Sequence, residues 1–406
     1  MQLRKWGYFL LGLICVWNSL TVEQMYAINS VEDKVIDLGR ISEYEVKTDE
    51  VQFITREYAK AEQFNKGDVI DLPGTYIVRL KEADKVIKFE IPERVDLVVS
   101  NDEEFMEVLR YTLGQMHDKI TFRFSKAYGK EVTNTKKKLS QVLNDTLFKY
   151  PLLLYGGGMY SRDGDKITLT FDYPMSREEG LKAQLQIEER LMQDIENRDL
   201  TKSDIELQKE IIYDILDYVE YNDYSANVKD IPLSHHVQGL VVEGNKVVCD
   251  GYGRIFMLMA NTLGIPTEII RGVGGGTNHA WNIVTHNNQT YHVDLTWADE
   301  DSYRVGSYVN YVNEMDSYME QTHSWDREKY PKCEDTEYLN TKIYDFISLE
   351  DLKDGKGLDF EHSFKVDSEV EDIGKQIANA YGDIIEYYTV EKYGQKIITV
   401  INEKGE

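Results

Sequence analysis

Apolar positions recur along this chain with two different periods, and the switches between them divide it into segments. Between Asp68 and Ile91 the alternation is strand-like: a Pro73-Gly74 turn, the run Tyr76-Ile77-Val78-Arg79-Leu80, a turn at Glu82-Ala83-Asp84, then Val86-Ile87-Lys88-Phe89-Glu90-Ile91. This predicts a small β module over residues 28–98. Longer periods predict helices near 102–116, 133–147 and 176–197. Strands are expected at Ile120–Phe124, Leu152–Tyr155 and Ile167–Phe171, so residues 99–198 read as an α/β module. Gly156-Gly157-Gly158 lies between two of these strands and reads as a tight turn, because a phosphate cradle would need a helix to follow. Ser203 followed three residues later by Glu206 is a capping box, and it opens a helix with Ile211, Ile212, Ile215, Leu216 and Val219 on one face. Residues 336–406 read as a further small α/β module, with a helix near 367–382 ahead of strands at Ile384–Val390 and Ile397–Ile401.

The first 27 residues follow a third pattern. Arg4 and Lys5 precede an apolar run from Trp6 to Trp17, shorter than the ~20 residues of a transmembrane helix and of the length of a secretory h-region. Ala27 suits the position before a cleavage site, whereas Met25 is a poor match two places earlier. Residues 1–27 therefore read as a signal peptide or an N-terminal anchor, and the expected location is secreted or the extracytoplasmic cell surface. A net charge of −26 repels phosphate backbones and anionic lipid, which argues against nucleic-acid partners. Beyond the leader only Cys249 and Cys333 remain, which excludes a disulfide-dense scaffold.

Reactive side chains concentrate in residues 200–335, which hold six of the eight histidines and both of those cysteines. Three segments stand out: Val247-Val248-Cys249-Asp250-Gly251-Tyr252-Gly253, Asn278-His279-Ala280-Trp281-Asn282, and Tyr291-His292-Val293-Asp294-Leu295-Thr296-Trp297. The apolar run Ile255–Ala260, closed by Leu263-Gly264-Ile265-Pro266, predicts a helix that begins at or just after Cys249. Backbone N–H groups and the positive end of a helix dipole favour a thiolate there. His279–Thr285 and Thr290–Thr296 both alternate, with Asn287-Asn288 as the hairpin turn. A two-residue loop sets position 281 opposite 294, placing His279 and Asp294 on one face as diagonal neighbours. A thiol, an imidazole and an orienting carboxylate are the roles of a nucleophilic triad. Each residue alone reads more readily as a packed or solvated side chain, and it is the three together, in this order and geometry, that point to chemistry.

This combination resembles the transglutaminase-like superfamily, in its secreted bacterial branch, over residues 203–335. The likeness is carried by the helix after Ser203 with Tyr221 near its end, by Gln238-Gly239-Leu240 leading into Val248-Cys249-Asp250-Gly251-Tyr252, by Leu263-Gly264-Ile265-Pro266, by the His279 and Asp294 motifs, and by His323-Ser324-Trp325-Asp326. The resemblance implies an α+β fold with a papain-like transglutaminase core at 199–335. It implies Cys249 as nucleophile, His279 as general base and acid, and Asp294 orienting His279. Gln238 is a candidate oxyanion donor, the alternative being a surface loop residue. Asp250-Gly251 stands where animal crosslinking enzymes carry a Trp, so crosslinking is not implied, and protease or amidase outcomes stay open. No cofactor is expected. No metal is expected either, since no paired chelating spacing occurs among the histidines and the acidic Asp299-Glu300-Asp301 lacks a calcium-loop pattern. The expected partner is a protein or peptide substrate, with cell-wall or surface association open and no oligomer required. The competing reading is a non-catalytic cell-surface scaffold or binding protein of the same fold.

Overall fold

The computed structural model describes residues 34–46, 51–80, 84–93, 96–132, 134–222, 232–242, 244–299, 304–305, 308–344, 346, 362–367 and 386–401. The leader 1–27 and the helix expected near 367–382 lie outside the described residues, apart from Asp367, which ends a strand.

Strands β1 (Val35–Arg40), β2 (Val51–Arg56), β3 (Gly74–Leu80) and β4 (Val86–Ile91) form a four-stranded sheet in the order β1-β4-β3-β2, with only the β1–β4 pair parallel. The alternating residues Tyr76, Val78, Ile87 and Phe89 are buried, and Phe89 stacks on Tyr44 and Tyr76. The β character read from the alternation is thus present.

Helices α1 (Asp102–Gly114) and α2 (Thr135–Lys149) start at Asn101 and Asn134, whose side chains accept from the backbone N–H three residues on. They enclose an aromatic core of Phe105, Phe122 and Phe124 over a sheet of β5 (Lys119–Phe124), β6 (Gly157–Asp163) and β7 (Lys166–Asp172), with β7 in the middle and the short strand Val98–Val99 beyond β5. Two local expectations are corrected. Leu152–Tyr155 is not a strand: its leucines are buried, but the carbonyls of Leu152 and Tyr155 accept from Gln238 and His236 side chains. Gly157 and Gly158 open β6 instead of forming a turn, and a Cβ at Gly158 would stand 2.6 Å from the Thr170 carbonyl oxygen.

Helices α3 (Arg177–Asn197) and α4 (Asp204–Tyr218) both begin with complete capping boxes, Ser176/Glu179 and Ser203/Glu206. Ile187, Leu191 and Ile195 of α3 join Ile211, Ile212 and Ile215 of α4 in the largest apolar cluster. That cluster continues into α5 (Cys249–Thr262) and a five-stranded antiparallel sheet. The sheet is built from β8 (Thr267–Gly274), β9 (Thr277–His286), β10 (Gln289–Val293), β11 (Val312–Glu314) and β12 (His323–Trp325), in the order β11-β10-β9-β8-β12. Helix α5 packs across β8 and β9, and Asn282 donates to the Gly253 carbonyl at 2.9 Å to tie sheet to helix. The fold is α+β, as expected.

Strands β13 (His362–Asp367), β14 (Glu386–Lys392) and β15 (Gln395–Ile401) form the last sheet, ordered β13-β15-β14. The β14–β15 turn inserts Lys392 and Tyr393 beside Glu314 of β11: Lys392 pairs with one carboxylate oxygen, and Tyr393 donates to the other at 2.7 Å. Among the described residues no helix is long and apolar enough to cross a membrane.

Candidate active site

Four segments converge where the N-terminus of α5 meets the sheet. The N-cap of α5 is Val248, in extended backbone and without a side-chain capping bond, so no side-chain oxygen occupies the first-turn N–H groups. Cys249 is the first helical residue and is partly exposed; it is a free thiol, as is the buried Cys333. Close packing behind it explains Gly251, where a Cβ would lie 2.4 Å from Val247 Cβ and 2.8 Å from the Ser234 carbonyl oxygen.

His279 stands on β9 opposite Gly272 of β8. Its ring donates from Nε2 to Asp294 Oδ2 at 2.8 Å, and the Cys249 side chain lies close enough to interact with it electrostatically. With Nε2 on the carboxylate, Nδ1 is the nitrogen left for the thiol. Trp281 and Trp297 cover the ring at centroid distances of 5.8 and 6.0 Å. The imidazole is only 7% exposed. Burial works against protonation there, yet the Asp294 charge, the bond to Asp294 and the nearby Cys249 raise its pKa to about 10.

Asp294 reaches His279 through the expected hairpin. Asn287 and Asn288 both adopt positive φ, 50° and 63°, as a two-residue turn of this kind requires. His286 pairs with Gln289 and Asn282 with Val293, the register read from the alternation. The chain then leaves the sheet after Val293, three residues earlier than the alternation suggests. Asp294 caps the short helix α6 (Leu295–Ala298), its Oδ1 accepting from the N–H groups of Thr296 and Trp297 at 3.2 and 3.3 Å. Burial opposes its ionisation, but His279 and His323 hold its pKa down at about 2.

The structure therefore brings Cys249, His279 and Asp294 together. Gln238 sits differently. It is buried, not a surface loop residue, and its amide donates to the Leu152 carbonyl at 2.8 Å while its Oε1 has no partner. One of its two amide hydrogens is thus engaged at Leu152, which leaves the second, together with the Cys249 backbone N–H, as a candidate oxyanion donor.

Two contacts of the site were not expected from the sequence. His323, on β12, places Nε2 3.1 Å from the same Asp294 Oδ2. Beneath Trp281, its indole N–H donates to His292 Nδ1 at 3.0 Å, and His292 Nε2 donates to Asp316 Oδ1 at 2.8 Å. Only the motif around His323 offered a signal for the first. Strand alternation at His292 offered one for the second.

Among the described residues, ligand-type atoms gather within 4.8 Å in two places, His279 with Asp294 and His323, and His292 with Asp316 and Cys333. In the first, the facing atoms are hydrogen-bonded to one another. In the second, a metal on His292 Nε2 would force the ring hydrogen onto Nδ1, against the Trp281 N–H. Cys333 there is fully buried, and burial pushes its thiol up to about 12, so it stays protonated at neutral pH.

No family model matches the chain, and no curated protein matches it. Three solved structures are similar to it. One is named a "putative cysteine protease" from Cytophaga hutchinsonii, at 10% identity and a TM-score of 0.22, over 34% of this chain and 61% of that one. A second is named a TGase, at 14% identity and a TM-score of 0.21, over 80% of this chain and 84% of that one. The third is named a "putative protease" from Parabacteroides distasonis, at 10% identity and a TM-score of 0.22, over 62% of this chain and 63% of that one. The chain thus spans less than two thirds of the two protease structures' lengths.

Proposed function

We propose that this protein is a thiol acyl-transfer enzyme with a transglutaminase-like, papain-related core, acting outside the cytoplasm on amide groups of proteins or peptides. The observation that carries this reading is the juxtaposition of Cys249 with His279, whose imidazole is held in turn by Asp294 at 2.8 Å. Core packing does not require those three groups in series, which sets the reading above a scaffold that has lost its chemistry.

The steps follow from the positions. The Cys249 thiolate attacks an amide carbonyl carbon, and the developing oxyanion meets the Cys249 backbone N–H at the uncapped start of α5. The C–N bond breaks as the His279 imidazolium gives its proton to the leaving nitrogen, which leaves a thioester. Water or a primary amine then attacks the thioester while His279 takes the incoming proton and the thiolate departs. Water gives hydrolysis; an amine gives transamidation. Asp294 stays ionised throughout, holding Nε2 so that Nδ1 faces the thiol.

The test is to incubate the mature protein and Cys249→Ala with casein and a fluorescent primary amine, following ammonia and peptide fragments in the same tube. Amine incorporation lost in the variant identifies a transglutaminase. Fragments or ammonia without incorporation identify a hydrolase. A wild-type Cys249 that alkylates no faster than a free peptide thiol would sink the catalytic reading and favour the scaffold.

A further inference from the structure

We infer that His323 is a positioning residue for the acid–base step: a second imidazole that shares the Asp294 carboxylate with His279 and divides its basicity between the two rings. The inference rests on reading Cys249 and His279 as a thiol–imidazole pair.

The geometry is specific. Strand β12 enters the sheet as the outer neighbour of β8, pairing His323 with Gly274. The His323 side chain is 0% exposed, and its Nε2 approaches Asp294 Oδ2 at 3.1 Å, the oxygen that already accepts from His279 at 2.8 Å. The Thr322 hydroxyl stands 2.8 Å from His323 Nδ1 and can donate there, leaving the ring hydrogen on Nε2 for Asp294. Trp297 and Trp281 hold the ring at centroid distances of 4.4 and 5.0 Å. Gly274 makes the convergence possible: a Cβ there would lie 2.9 Å from His279 Cδ2 and 3.1 Å from His323 Cδ2.

The titratable groups facing His279 are Cys249 from α5, Asp294 from the cap of α6 and His323 from β12; His292 of β10 lies beyond the Trp281 ring. With Oδ1 taken by two backbone N–H groups, the balance between the rings is settled at Oδ2. A donor on a carboxylate lowers its basicity. Without His323, Oδ2 would hold the His279 proton more tightly, the imidazolium would persist to higher pH, and proton delivery to the leaving nitrogen would slow.

The experiment uses the full chain as wild type, His323→Phe and His323→Gln. Histidine-selective ¹⁵N NMR follows the titration of His279, and iodoacetamide alkylation of Cys249 is measured across the same pH series. Phe keeps a ring among the indoles but removes the donor. It should move the His279 inflection upward by about 0.5–1 unit and lower kcat more than it changes KM. Gln presents a side-chain N–H to Oδ2 and should return the inflection toward wild type. An unmoved or downward inflection in Phe, or a Gln variant that behaves like Phe, overturns the inference. Should Phe fail to fold, the wild-type spectrum decides: the Nε2–H tautomer for His323 supports the inference and the Nδ1–H tautomer overturns it. A wild-type thiol without enhanced alkylation would remove the acyl-transfer reading alone, because the NMR titration needs no turnover.

Discussion

Replacing Lys392 by Met would strand a charge in the core. The Lys392 and Glu314 side chains are both 0% exposed and in contact, and the ammonium also lies 3.3 Å from Asn340 Oδ1. Met fills the volume of the lysine stem but leaves Glu314 with Tyr393 as its remaining side-chain donor. Removing one partner of a buried pair costs about 3–5 kcal/mol, a large share of the ~5–15 kcal/mol that holds a typical domain folded. The carboxyl has one escape, which is to take up a proton. Burial already raises Glu314 above its ordinary 4.5, with Lys392 opposing the rise, so Lys392→Met raises it further. A carboxyl raised in the folded state binds more protons folded than unfolded. Its stability contribution therefore falls as pH climbs above 4.5, by up to about 1.4 kcal/mol per unit until the folded value is passed. The deficit should be small near pH 5 and reach about 3–5 kcal/mol by pH 8, and Glu314→Gln combined with Lys392→Met should recover most of it. Urea unfolding at both pH values would measure this through tryptophan fluorescence, since Trp281 and Trp325 lie on strands of the sheet that contains Glu314. A loss below about 1 kcal/mol at pH 8, or an equal loss at both pH values, would refute the reasoning.

Other perturbations probe the site directly. Asp294→Asn keeps a side-chain oxygen for the α6 cap but removes the charge behind His279, and kcat/KM should fall by about 10²–10⁴-fold, with Cys249 alkylation at pH 7 as the substrate-free check. The same variant tests linkage. Asp294, lowered from 3.8 to about 2, stabilises the fold above 3.8 and loses that contribution as pH falls through 2. His279, raised from 6.5 to about 10, stabilises it below 6.5 and loses that contribution as pH rises through 10. The Tm gap between wild type and Asp294→Asn should therefore be widest between pH 3.8 and 6.5 and narrow on either side. Gly274→Ala adds a Cβ 2.9 Å from His279 Cδ2 and should cost about tenfold or more in turnover by displacing the ring; an unchanged rate would show that the ring tolerates the shift. Trp281→Phe removes the N–H donated to His292 Nδ1 and should cost about 1–3 kcal/mol in urea unfolding.

The parts of the site that the sequence made legible are those set by short-range rules. The hairpin register could be read because a two-residue turn requires positive φ at both positions and Asn accepts it, as Asn287 and Asn288 do. The start of α5 could be read because an apolar helical run ends at Gly264, which takes a φ of +76°. The end of β10 was hidden: Thr290–Thr296 keeps alternating, but the Asp294 carboxylate captures two backbone N–H groups and turns the chain into α6. At Leu152–Tyr155 an apolar run looked like a strand because burial leaves the same mark whether carbonyls bond a ladder or side chains from elsewhere. The His323–Asp294 contact and the Lys392–Glu314 pair join residues 29 and 78 apart, and no local pattern announces either.

The β9–β10 hairpin also bears on how the site holds together. His279 and Asp294 are 15 residues apart across a two-residue loop, so a single local closure brings base and carboxylate together. Cys249 lies on a separate element, α5, which packs across β8 and β9. A chain in which α5 is undocked therefore carries a thiol with no base beside it. Loosening of α5 alone would therefore part the thiol from the imidazole while leaving the His279–Asp294 pair intact on its hairpin.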